Sequence, residues 1–156
     1  MRRLAAAAIG VIFAGHALLA QTTLKPAAPG TAGDPAWQGV VRMSDGRRFV
    51  TDGGLAVDVA VARPAKLPDR ELPGKTLESY LAASSPVEFG FGDLVVAPTG
   101  HTYTAPQGIP LNATYINYLR RILPSRDVRF RMSGALQPVV VLAGGKAVAV
   151  LMPVRR

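Results

Sequence analysis

The order of patterns in residues 111–152 constrains this chain most: an amphipathic helix, a proline stop, then three apolar strands in quick succession. Asn112 suits an N-cap, because its short side chain can accept from an amide two or three residues on, and Leu111 and Ile116 stand at the spacing of a hydrophobic staple. Tyr115, Ile116, Leu119, Ile122 and Leu123 fall on one helical face, with Asn117, Arg120 and Arg121 opposite. Pro124 ends the helix. Val128, Phe130 and Met132 then alternate with Arg129 and Arg131, as a half-buried strand requires. Apolar strands follow around 138–142 and 147–152, and Gly144-Gly145 between them predicts a hairpin turn.

Upstream, the same kinds of signal recur. Val40, Val41 and Met43 lead to the turn Ser44-Asp45-Gly46, then to Arg47-Arg48-Phe49-Val50 and a second turn at Thr51-Asp52-Gly53-Gly54. Leu55, Val57, Val59 and Val61 alternate with Ala56, Asp58 and Ala60, which predicts one strand over 55–61. Residues 63–73 hold three prolines and mixed charge and read as a surface connection. A short helix is expected over 75–83, with Leu77, Tyr80 and Leu81 on one face and Pro73-Gly74 before it. Val87 and Phe89 alternate with Glu88, Gly92-Asp93 turns into 94–97, and 102–105 adds a further strand.

The two helix-then-strand units repeat. Leu77, Tyr80-Leu81 and Val87-Glu88-Phe89 match Leu119, Ile122-Leu123 and Val128-Arg129-Phe130 at an offset of 41 or 42 residues. The fold class expected is α+β: one domain over 37–156, in which two helix-plus-antiparallel-strands repeats set their helices side by side on a curved sheet.

Residues 1–20 read as an export signal, Arg2 and Arg3 preceding an apolar core over 4–14 and small residues leading to a cut near Ala17 or Ala20. The stretch is shorter than the roughly 20 uninterrupted apolar residues of a membrane span. The chain is then expected in the periplasm, or in the cytoplasm if the segment is an ordinary N-terminal helix. Residues 21–36, rich in Pro, Ala, Gly and Thr with almost no apolar period, are expected to be a disordered linker. The formal charge of +8 welcomes a polyanion, or else serves solubility alone.

Catalytic patterns are sparse. The absence of cysteine removes thiolate nucleophiles, thiolate metal sites and disulfides. Beyond the export segment His101 is the sole histidine, so a histidine relay lacks partners. Gly74-Lys75-Thr76 matches the end of a phosphate-binding loop, but Asp69 occupies the place of its first glycine. Asp45, Asp52 and Asp93 sit where turn residues bond nearby backbone amides, and Asp58 and Glu88 lie on polar strand faces. The expectation is a non-enzymatic chain with no cofactor, no metal and no small-molecule substrate.

Several runs together resemble the bacterial DNA polymerase III β sliding clamp: Ile109-Pro-Leu-Asn-Ala-Thr-Tyr-Ile-Asn-Tyr-Leu-Arg-Arg-Ile-Leu123, Val128-Arg-Phe-Arg-Met132, Gln137-Pro-Val-Val140 and Val148-Ala-Val-Leu-Met-Pro-Val-Arg155. Ser44-Asp-Gly-Arg-Arg-Phe49 is similar to that family's Thr-Asp-Gly-His-Arg-Leu, and Leu72-Pro-Gly-Lys-Thr-Leu-Glu-Ser-Tyr-Leu81 to the helix after it. The resemblance implies a clamp-like domain of two similar halves and a hydrophobic pocket that captures linear peptides of partner proteins. Carried over, the pocket comprises Ser44, Gly46, Arg47, Arg48, Phe49, Asn112, Tyr115, Val150, Met152, Pro153, Val154 and Arg155. It also implies helices that face DNA, with Lys75, Arg120 and Arg121 as the matching cations. This chain departs in having residues for one domain where a clamp has three, so encircling DNA requires a homo-oligomer, and in Arg47, Phe49 and Arg156 where the family has His, Leu and Leu. An export signal leads to a different expectation, a β-rich interaction protein that keeps the fold without a replication role.

Overall fold

The computed structural model describes residues 38–83 and 85–155. The expected export segment and the linker lie outside the described residues. Eleven strands and three α-helices follow in the order β1 (Gln38–Arg42), β2 (Arg48–Asp52), β3 (Leu55–Asp58), α1 (Val59–Ala62), β4 (Glu71–Pro73), α2 (Lys75–Ala82), β5 (Val87–Phe89), β6 (Val95–Val96), β7 (Thr102–Ala105), β8 (Ile109–Asn112), α3 (Ala113–Ile122), β9 (Val128–Met132), β10 (Val139–Ala143) and β11 (Lys146–Leu151). None of the described helices is long and apolar enough to cross a membrane.

Eight strands form one sheet in the order β4-β1-β2-β3-β11-β10-β9-β5, and β6-β7-β8 form a second. The large sheet is two antiparallel meanders, β1-β2-β3 and β9-β10-β11, joined where β3 pairs antiparallel with β11. Strand β4 adds in parallel at one edge and β5 antiparallel at the other. The architecture is α+β, as the patterns predict.

Side chains alternate across a strand, and the central strands are apolar on both faces over residues 55–57, 139–143 and 147–151. Leu55, Val57, Val139, Val141, Ala149 and Leu151 enter one core cluster, which also contains Tyr115, Ile116 and Leu119 of α3 and Tyr103, Ile109 and Leu111 of the small sheet. Ala56, Val140 and Val150 enter a second cluster with Val41, Phe49 and Leu72, and with Leu77, Tyr80 and Leu81 of α2. The sheet is therefore covered on both faces, by α2 on one and by α3 with the small sheet on the other. This differs from the expected side-by-side helices. A strand buried on both faces must be apolar throughout, which is what residues 139–142 and 147–151 are.

Two local features also depart from the sequence reading. The strand over 55–61 stops at Asp58, whose side chain accepts from the Ala60 amide at 2.9 Å and so starts the single turn of α1, closed by Arg63 in the left-handed region at φ 44°. Leu72, in the expected surface connection, is buried in β4 beside Val41. Its strand approaches β1 so closely that a Cβ on Gly39 would stand 2.5 Å from the Arg70 carbonyl oxygen.

Candidate functional site

The twelve residues of the expected peptide pocket divide between the two ends and two faces of the sheet. At one end is the β1–β2 turn, where Gly46 takes φ +85° and the Asp45 carboxylate accepts from the Arg47 amide at 2.9 Å. That backbone bond, reinforced by the Arg47 guanidinium at 3.0 Å, holds the Asp45 carboxyl below its ordinary range. Arg47 also reaches Asp58 at 3.3 Å, donates to the Ala147 carbonyl at 2.8 Å and lies over the Phe49 ring. The turn is thereby tied to the ends of β3 and β11. The Ser44 amide donates to Glu78 of α2 at 2.6 Å. Phe49 and Val150 are buried under α2, while Arg48 is exposed across from Arg42.

At the other end Asn112, Tyr115, Met152, Pro153 and Val154 come together. Asn112 is the N-cap of α3, its side chain accepting from the Thr114 amide at 2.8 Å. Tyr115 crosses to the β2–β3 turn and donates its hydroxyl to Asp52 Oδ2 at 2.8 Å, while Asp52 Oδ1 accepts from the Gly54 and Leu55 amides. Burial, and then the Asp52 carboxylate, push the Tyr115 phenol well above its ordinary range. The segment after β11 is held by Met152 N donating to Gly54 O and Val154 N donating to Pro110 O, and Met152, Pro153 and Val154 are half-buried. Arg155 is exposed. The length of β2, four steps of about 3.3 Å, separates this group from the Ser44–Arg47 turn.

The three expected DNA-facing cations also separate. Lys75 is exposed at the start of α2, whereas Arg120 and Arg121 belong to α3 across the sheet. Arg120 is engaged within the chain: it donates to the Tyr103 hydroxyl and the Phe91 carbonyl, both at 3.2 Å, and lies over both rings. Tyr103 in turn donates to Asn117 Oδ1 at 3.0 Å. Arg121 lies over the ring of Tyr118, whose phenol burial raises.

His101 is an exposed turn residue whose carbonyl receives the Ala113 amide. The turn roles read for Asp45, Asp52 and Asp93 are those the structure has, Asp93 Oδ2 accepting from Gly90 N at 2.7 Å. Among the described residues no group of three or more His, Asp or Glu could hold a metal ion.

Two features have weak sequence signals. Among the described residues, Val95 and Val96 of β6 stand 66% and 56% exposed at an unpaired edge of the small sheet, where apolar residues are not expected. Among the described residues Arg131 keeps its Nε buried without a hydrogen-bond partner. Compared with protein-family models, curated proteins and solved structures, the chain matches none of them.

Proposed function

We propose that the chain is a non-enzymatic, β-rich interaction module that captures a linear apolar segment of a partner protein beside Asn112, Tyr115 and residues 152–154. The carrying observation is the convergence of these residues, with Met152 and Val154 tied by their amides to Gly54 and Pro110. Methionine and proline supply adaptable apolar walls for such a ligand. The resemblance to the sliding clamp supports the same half of the pocket, because its helix-start and terminal motifs are the residues that meet. Encirclement of DNA is not part of the proposal, since Lys75 and Arg120–Arg121 ride on helices across the sheet from each other.

An amide-resonance titration with a Gln-Leu-x-Leu-Phe-type peptide tests the pocket. Shifts at Tyr115 and Val154 that disappear in Met152→Ala support it; no shift at about millimolar peptide, the weak end of specific binding, refutes it.

A second reading is favoured by the exposed Val95 and Val96: the partner segment adds as a strand to the free edge of β6. Val96→Pro, which removes an edge donor, then abolishes peptide uptake while Met152→Ala leaves it intact. The proposal also takes residues 1–20 as an export signal, on the strength of Arg2-Arg3 and the apolar core. Terminal sequencing of protein recovered from cells decides this: a periplasmic chain starting near Gln21 agrees, and an uncut cytoplasmic chain refutes it.

A further inference from the structure

We infer that Arg129 and Arg131 form an oxyanion site, taking a phosphate or carboxylate group, on the α2 face of the main sheet. Val128, Phe130 and Met132 of β9 enter the core on the α3 side, so the intervening arginines point to the opposite face. Two residues apart on a strand, their Cα atoms are separated by about 7 Å. One oxyanion can bridge two guanidinium groups at that spacing, each offering a fork of donors.

The observation that points to a ligand is the orphaned Nε of Arg131, shielded from solvent and without an acceptor among the described residues. A buried donor on a charged group is costly when unmatched, and native structures match it with a side chain, a water or an ion. Its register neighbours complete the surroundings. Val140 lies beside Arg131 and Leu142 beside Arg129, both at most 9% exposed, so an apolar floor flanks the cations. The Arg129 guanidinium lies beside Gly90, where a Cβ would stand 3.4 Å from Nη1.

Two carboxylates are close enough to compete. Glu88 is exposed directly opposite Arg131, and Asp93 neighbours Gly90, although its Oδ2 already accepts from the Gly90 amide. Among the described residues neither forms an ion pair with Arg129 or Arg131. Two guanidinium groups face the one carboxylate paired across β5 and β9, Glu88, so the strand pair itself is net positive.

The test is a titration of the full chain with inorganic phosphate, following the Arg131 Nε–H resonance and, separately, heat of binding. Saturable binding is expected. It weakens about tenfold in Arg131→Gln, the loss of one charge-assisted contact, and tightens about threefold in Glu88→Gln, where the competitor is neutral. A parallel titration with a glutamate-rich peptide separates the sources. Tighter binding of the peptide assigns the site to a partner's carboxylates, and tighter binding of phosphate assigns it to a free or ligand-borne phosphate. A phosphate response that is unsaturable, or unchanged in Arg131→Gln while the fold is retained, overturns the inference. So does an Arg131 resonance that moves on Glu88→Gln but not on adding either anion, because the orphan is then served by Glu88.

Discussion

Replacing Tyr115 by phenylalanine deletes one oxygen and leaves the packing of α3 against the sheet unchanged. Asp52 is 6% exposed. Its Oδ1 keeps the Gly54 and Leu55 amides, both at 2.9 Å, but Oδ2 loses the Tyr115 hydroxyl at 2.8 Å. A hydrogen bond to a charged group contributes about 1.5–3 kcal/mol, so Tyr115→Phe is expected to destabilise the fold by about 2 kcal/mol, or about 8 °C in Tm for a domain of this size. Urea unfolding of Tyr115→Phe, Asp52→Asn and the double variant isolates the pair, because its coupling appears as non-additivity. The phenol adds a pH signature. Its pKa is raised in the folded chain, so the fold keeps a proton that the unfolded chain releases above about pH 10. The contribution is complete below that pH and declines as pH rises through it toward the folded value, a slope that Tyr115→Phe removes. A loss of less than about 0.5 kcal/mol, the range of an ordinary surface change, with an unaltered alkaline slope, would refute the latch.

Three further perturbations have expected outcomes. Asn112→Ala removes the N-cap of α3 and is expected to destabilise by about 1 kcal/mol in urea unfolding, with Asn112→Asp retaining most of the stability. Gly39→Ala drives a methyl into the Arg70 carbonyl. The Val40 amide, which donates to that carbonyl at 2.8 Å, should then exchange with solvent at least about tenfold faster, one decade per 1.4 kcal/mol of opening. Arg47→Met leaves Asp58, 3% exposed, with only the Ala60 amide as partner, and a loss of about 2 kcal/mol is expected by thermal unfolding.

What could be read from the chain alone was what depends on neighbours in sequence. Asn112, Leu111 and Ile116 set the start of α3, the alternation of Val128, Phe130 and Met132 is β9, and Gly144-Gly145 turns β10 into β11. Asp58 misled because an aspartate on a strand face and an aspartate capping a helix have the same local pattern until the chain's direction is known. Leu72 joins the core through parallel pairing with β1, some thirty residues away, which no local period encodes. The side of the sheet taken by each helix is also non-local. The repeat between the two helix-strand units is present in residue types, yet α2 and α3 cover opposite faces. The length of β2 separates Ser44–Arg47 from Tyr115 and Met152, although the resemblance to the sliding clamp implied a single pocket.

The seam between β3 and β11 has a consequence for the order of assembly. Leu55, Ala56 and Val57 are matched to Leu151, Val150 and Ala149, so the middle of the sheet waits for residues more than ninety positions downstream. Until β11 arrives, both β3 and β10 present bare, apolar edges. Such distant closure makes folding slow and its intermediates adhesive. A chain truncated before Lys146 should therefore accumulate as aggregate instead of a smaller domain, and the full chain should acquire protection across both meanders in one late, cooperative step.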